Sequence, residues 1–162
     1  VLIGAGNDRQ KLIERGRGME NVYFLDPIAK SLVPEALSMG DALYIGWRDR
    51  PNLYRFGISP NKIMDYMMSG RPIVHAVDAW NDPVAEAQAG ISIHPDDIDE
   101  LKEAIKRLYT MDEQKRNKIG ENGKQYAKAN YSYGVLAESY IELFEKAISE
   151  NNNLLRKDGQ KL

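Results

Sequence analysis

Short apolar runs recur along this chain with helix-length segments between them, and this alternation restricts the fold more than any other feature. Val1-Leu2-Ile3, Asn21-Val22-Tyr23-Phe24-Leu25, Ala42 to Trp47, Pro72 to Val77 and Ile91 to His94 each have the length of a strand. Strands alternating with helices at this spacing form βαβ units, whose strands lie parallel and are covered on both faces. The expected fold is therefore α/β, a doubly wound parallel sheet in three α/β/α layers. Ligands on such sheets bind beyond the carboxyl ends of the strands. That rim would gather Gly4-Ala5-Gly6, Asp26-Pro27, the loop from Arg48 to Asn61 and the loop from Asp78 to Asp82.

The helical segments carry their own punctuation. One is expected from Asn7 to Arg17 with Leu12 and Ile13 as its apolar positions, and one from Leu32 to Met39 with Pro34 in its first turn. Asp82-Pro83 reads as an N-cap followed by proline at the first helical position, for a helix through Glu86 to Ala89 that stops at Gly90. Pro95-Asp96-Asp97 caps a helix from Ile98 to Tyr109, with Leu101, Ala104, Ile105 and Leu108 as its apolar stripe. Beyond it, Met111 to Asn130 is a polar helical stretch interrupted by Gly120 and Gly123, and Tyr131-Ser132-Tyr133 breaks it. An amphipathic helix from Gly134 to Ser149 follows, with Leu136, Tyr140, Ile141, Phe144 and Ile148 on one face. Residues 1–149 are read as one domain and residues 150–162 as a polar, disordered tail. Because Val1 already lies in an apolar strand, the numbering is expected to start inside a longer protein.

Composition removes several functions. A formal net charge of -2 gives no electrostatic footprint for nucleic acid, so none is expected as a partner. The absence of cysteine excludes disulfides, thiolate nucleophiles and cysteine-ligated metals together. His75 and His94 sit at strand ends without a carboxylate at ligand spacing, so no metal site is expected. Gly4-Ala5-Gly6 lacks the third glycine and the acid of a dinucleotide fingerprint. Trp47 and Trp80 close strands, where they either stack on a ligand or pack the rim. Lys102 to Arg107 and Lys115 to Lys128 read as solvated helix faces with paired charges.

One stretch carries chemistry. In Gly57-Ile58-Ser59-Pro60-Asn61-Lys62-Ile63-Met64-Asp65, a polar loop enters a helix with Ser59 as the expected N-cap and Pro60 in the first turn. Free backbone N–H groups, a hydroxyl and the Lys62 ammonium make an anion site, and phosphate suits it. Asp65 follows one turn later. Ile63, Met64, Met67 and Met68 pack the helix on the sheet, Gly70 ends it and Pro72 opens the next strand.

The ordered segments IGAGND, NVYFLDPI, VPEALSMGDALYIG, FGISPNKIMDYMMSGRPIV, NDPVAEAQAGISI and DIDELKEAIKRL resemble the carboxyl-terminal half of a two-domain GT-B glycosyltransferase of family 4. The likeness runs from Val1 to about Phe144 and is strongest to the bacterial enzymes that build capsule and O-antigen repeat units. It implies a domain that holds a nucleoside diphosphate sugar, with transfer that retains anomeric configuration and needs no bound metal or other cofactor. The turn Leu25, Asp26 and Pro27 would support the base. The paired glutamates of the family, separated by seven residues, fall on Gly57 and Asp65. Asp65 would bind the ribose hydroxyls, while Gly57 supplies no carboxylate, so the sugar contact passes to backbone, including Ile58, or to Tyr54, Arg55 or Asn61. A Ser-Pro-x-Lys turn occurs in part of the family, and there Ser59, Asn61 and Lys62 are the diphosphate ligands, with Lys62 also the catalytic cation. The acceptor domain and the remaining catalytic groups would lie upstream of Val1. Uridine diphosphate with an N-acetylated deoxyhexose is the donor the resemblance suggests. The implied location is cytoplasmic, with any contact with the inner face of the membrane made through the missing half. Gly57 keeps two other functions open, a nucleotide-sugar binder without catalysis and an interaction domain without a ligand.

Overall fold

The computed structural model describes residues 1–159, with side chains as far as residue 150. Its elements follow the expected alternation: β1 (Leu2–Ile3), α1 (Arg9–Arg15), β2 (Phe24–Leu25), a 3-10 turn (Lys30–Leu32) running into α2 (Val33–Ser38), and β3 (Leu43–Gly46). Then come α3 (Pro51–Tyr54), α4 (Asn61–Met68), β4 (Ile73–Ala76), α5 (Pro83–Glu86), β5 (Gly90–Ile93), α6 (Ile98–Thr110), α7 (Glu113–Tyr131) and α8 (Tyr133–Gly159). All strand pairings are parallel, in two ladders, β1-β2 and β3-β4-β5.

β4 is the centre of the domain because each of its four residues is buried. Successive strand side chains point to opposite faces, so β4 feeds two cores at once. Ile73 joins Ile45, Ile63, Met67, Val84, Ala87, Ala89 and Ala127 under α4, α5 and α7. Val74 and Ala76 join Ile93, Ala104 and Leu108 under α6. This is the three-layer α/β/α arrangement. Complete burial of a side chain such as Ile63 or Met67 contributes about 1.5–3 kcal/mol, and both are fully buried, which locks α4 to the sheet at a definite rotation.

The caps at Asp82 and Asp97 form as expected. Asp82 accepts from the backbone N–H of Val84 and Ala85 (3.0 and 3.2 Å), and Asp97 from that of Glu100 (2.8 Å). Three expectations need correction. Ser59 does not cap α4: Pro60 occupies the N-cap in an extended conformation, and no side chain caps the helix. With Asn61 as the first helical residue, Ser59 lies one position too far upstream to reach the N–H groups of the first turn. Gly120 and Gly123 do not interrupt their helix. Both are buried within the continuous α7, where a Cβ on Gly120 would fall on the carbonyl oxygen of Gly70, and one on Gly123 would come within 2.9 Å of the Ala89 side chain. They are the flat surface that lets α7 lie against the end of α4.

The third concerns the last helix, which starts at Tyr133 and continues through Gly159, past the expected end at Ser149. The expected tail at 150–162 thus begins on this helix, and residues 160–162 lie outside the described residues. Tyr140, Phe144 and Ile148 are 62%, 60% and 63% exposed, so these side chains on the apolar face of α8 have no cover among the described residues.

Replacing Gly120 with alanine tests the α7 contact. Alanine favours an isolated helix by about 1 kcal/mol over glycine, yet here its methyl group would meet backbone that cannot yield. The expected outcome is net destabilisation of about 1–3 kcal/mol, read from the midpoint of urea unfolding, with a stabilised variant ruling the contact out.

Candidate functional site

The loop before α4 is held from below by a buried side chain. His75, in the middle of β4, is fully buried and must be satisfied at both ring nitrogens. The Trp47 indole N–H donates to Nε2 (3.1 Å), and Nδ1 lies 2.8 Å from an Asp82 carboxylate oxygen. An indole nitrogen only donates, so Nε2 accepts, and Nδ1 carries the proton and donates it to Asp82. Burial opposes the charge on Asp82. Hydrogen bonds from His75 and Ser92 and from the Ala85 backbone more than offset that, so its carboxyl is held below its ordinary value.

Trp47, thus oriented, takes Tyr54 edge-on, with ring centroids 5.6 Å apart. The Tyr54 carbonyl accepts from the backbone N–H of Gly57 (2.9 Å) and Trp80 (3.3 Å). Asn81 then grips the next residue from both sides. Its Oδ1 accepts from Ile58 N–H (2.7 Å), and its Nδ2 donates to Ile58 C=O (3.0 Å). Gly57 between these anchors has φ of +99°, and a Cβ there would stand 2.7 Å from Asn81 Oδ1. A glutamate at this position would require a different loop. The glycine is therefore built into the conformation, and the missing carboxylate is a structural property of this rim.

Past the clamp, Ser59, Asn61, Lys62 and Asp65 are all exposed. The backbone N–H groups of Asn61 and Lys62 make no hydrogen bond among the described residues, as the first turn of a helix without a side-chain cap requires. Lys62 and Asp65 form no ion pair among those residues. Two N–H groups, the positive end of the helix and a free ammonium face solvent together. Such a set binds an anion with charge-assisted hydrogen bonds. Arg55 lies over the exposed ring of Phe56, 4.5 Å from its centroid.

The structure thus joins Tyr54, Arg55, Gly57, Ile58, Ser59, Asn61, Lys62 and Asp65 in one loop and helix. Leu25, Asp26 and Pro27 belong to the other ladder, at the carboxyl end of β2, and no hydrogen bond links them to that loop. Asp26 is ion-paired with Arg9 (2.8 Å), a surface pair worth at most about 1 kcal/mol. Sequence reasoning missed Asn81, whose role depends on a tertiary contact 23 positions away. It also weighed His75 only as a metal ligand at a strand end, although the Asp82 cap seven positions on offered a hydrogen-bond partner. Asp49, Asp78 and His94, each just past one of three neighbouring strands, bring ligand-type atoms within 4.8 Å of one another at the exposed rim. No sequence spacing shows that meeting, since each residue comes from a different βα connection.

The fold is a Rossmann-like α/β/α domain that carries an uncapped helix N-terminus at the carboxyl rim of its strands. The chain belongs to the family described as glycosyl transferases group 1, whose model matches residues 1–111. None of the curated proteins compared with it matches significantly. Among solved structures, the sucrose-phosphate synthase of Thermosynechococcus elongatus is similar over 88% of this chain and 34% of its own, with 17% identity and a TM-score of 0.69. HepE of Anabaena, solved in complex with UDP and glucose, is similar over 89% of this chain and 39% of its own, with 20% identity and a TM-score of 0.64. Likeness at that identity establishes the shared fold. This chain spans between a third and two-fifths of the length of those proteins.

The buried network yields two expected outcomes. Trp47→Phe removes the donor to Nε2 and leaves a buried acceptor unpaired, which should destabilise by about 1–3 kcal/mol in urea unfolding. Asp82 adds a pH dependence of known sign. Its folded-state pKa is depressed, so the stability it contributes is present above the ordinary carboxylate range and is lost as pH falls through the folded value. Asp82→Asn keeps a helix-capping residue but not the charge. The stability gap between wild type and this variant should be widest near neutral pH and narrow in acid, and a gap independent of pH would contradict the assignment.

Proposed function

We propose that this chain is the donor-binding part of a glycosyltransferase and that it holds a nucleoside diphosphate sugar across the start of α4. Family membership supports sugar transfer. The observation that carries the site is the uncapped α4 N-terminus, where the Asn61 and Lys62 amides and the Lys62 ammonium have no partner among the described residues and the preceding loop is held by Asn81. The diphosphate takes those donors, with the Ser59 hydroxyl beside them, and Asp65 accepts from the ribose hydroxyls one turn further on. Leu25, Asp26 and Pro27 meet the base. Tyr54, Arg55 and Asn61, with the backbone carbonyls of Gly57 and Ile58 as acceptors, take over the sugar contacts that a carboxylate at Gly57 would have made.

The chemistry then needs no nucleophilic side chain. Cleaving the bond between sugar and diphosphate builds negative charge on the leaving group, and fixed N–H dipoles with a cation aimed at that charge lower the barrier. Lys62 is the catalytic cation in this reading. It supports transfer that retains anomeric configuration, without a metal, to a polysaccharide or lipid-linked acceptor of the capsule or O-antigen type. Uridine is the proposed base, with an N-acetylated deoxyhexose as the sugar. The acceptor would sit on a further domain, against which the exposed apolar face of α8 packs. Half a cleft leaves reacting groups unpositioned and open to water, so these 162 residues alone should bind donor without turning it over. The glycine at position 57 favours one alternative, a nucleotide-sugar binder that does not catalyse.

Two truncations separate the roles. By calorimetry, Lys62→Ala should weaken uridine diphosphate by about 1.5–3 kcal/mol, the range for a hydrogen bond to a charged group, and leave uridine nearly unaffected. Asp65→Ala should weaken both ligands alike and matter little for a 2′,3′-dideoxy analogue. Loss of both ligands in the same proportion by both variants would refute the division of labour.

A further inference from the structure

The ladder of β3, β4 and β5 continues one residue past the strands at its carboxyl end. Trp47 N–H donates to Ala76 C=O (2.9 Å) and Val77 N–H to Ile93 C=O (3.0 Å), so three βα connections leave the sheet side by side and in register. Asp49 follows the first, Asp78 the second and His94 the third. Their backbones are fixed further out. Asp49 N–H donates to the Asp96 carboxylate (3.3 Å), which ties the connection after β3 to the one after β5 across the end of β4. His94 N–H donates to the Glu100 carboxylate (2.6 Å).

On this frame the three side chains bring ligand-type atoms within 4.8 Å of one another, all of them exposed. The imidazole is arranged as a metal ligand requires. Its Nδ1 lies 2.9 Å from the Pro95 carbonyl oxygen. A carbonyl only accepts, so Nδ1 carries the proton, and the neutral ring keeps its lone pair on Nε2. A ligating histidine is oriented in the same way, by donating its other N–H to a carbonyl or carboxylate. The carboxylates of Asp49, Asp78 and Asp96 are in no ion pair among the described residues, although Arg48 and Arg50 flank Asp49 in the chain. Like charges gathered at one rim without a basic partner favour a cation between them.

We propose that Asp49, Asp78 and His94 together hold one divalent first-row metal ion of the manganese-to-zinc type. Imidazole suits zinc and its neighbours and carboxylates suit manganese, whereas magnesium and calcium take oxygen ligands. An ion bonded at about 2.1 Å holds adjacent ligand atoms about 3.0–3.4 Å apart. Exposed side chains can close that difference by rotation while the ladder stays in place. Three protein ligands leave the remaining positions to water. Asp78 stands three positions before Asn81, so the ion tethers the loop whose clamp sets Ile58. The site departs from the expectation of no metal, which sought carboxylates at ligand spacing along the sequence, while these arrive from separate connections. It does not depend on which ligand the start of α4 takes, and it gives the ion no part in sugar transfer.

Calorimetric titration of tag-free protein with zinc chloride, manganese chloride and magnesium chloride tests the site. One saturable site per chain is expected for zinc, a weaker one for manganese, following the general affinity order of these ions, and a much weaker one for magnesium. Asp78→Asn and His94→Gln should each weaken zinc at least about tenfold. Asp41→Asn, at the opposite end of β3, should leave it unchanged. The second measurement needs no variant: substoichiometric manganese should broaden the backbone amide resonances of residues 49, 78 and 94 before any others. Absence of saturable zinc binding below millimolar concentration would overturn the proposal. So would magnesium binding as tight as zinc, equal losses in all three variants, or broadening centred on other carboxylates.

Discussion

A histidine buried to zero exposure in the central strand sets the geometry of everything above it. His75 cannot reach water, so folding is favourable only if both ring nitrogens are satisfied inside the protein. The partner at Nδ1 is the residue that caps α5, and the partner at Nε2 is the indole that ends β3. The same side chain therefore fixes where β4 meets α5 and where β3 delivers its loop. Trp47 holds Tyr54, and the Tyr54 carbonyl with Asn81 holds residues 57 and 58. By the time the chain reaches Asn61, little freedom is left in the approach to the helix.

That inheritance fixes the direction of the unpaired amides at the start of α4 without help from a side-chain cap. The donors at the start of α4 are backbone groups, whose directions follow from the helix axis, and the axis follows from Ile63 and Met67 in the core. Lys62 adds charge without having to supply the geometry. Gly57 is the counterpart of this rigidity. The clamp at Ile58 requires a left-handed conformation and leaves no room for a side chain, so precise placement of the amides and a carboxylate at position 57 exclude one another in this loop.

The outer elements follow a different logic. α7 is polar over most of its surface, yet it packs tightly because two glycines bring its backbone against Gly70 and Ala89. α8 keeps Tyr140, Ile141, Leu143, Phe144 and Ile148 exposed.

Much of this was legible without coordinates. The alternation of apolar runs with capped helices determined the α/β class and the parallel pairing, because period and punctuation are local properties that a linear sequence carries in full. The capping roles of Asp82 and Asp97 were likewise local, as was the position of the α4 entry. Tertiary structure decided what the local signals meant. Gly120 and Gly123 look the same in sequence whether they break a helix or seat it, and the neighbour that distinguishes the two is Gly70. Ser59 looks like a cap until Pro60 takes that place. Asn81 and His75 act through partners brought close by parallel strands, and Asp49, Asp78 and His94 meet because those strands end at one rim. The division of the sheet into two ladders is likewise a tertiary fact, since hydrogen bonding between strands far apart in sequence depends on which edges the folded chain brings together.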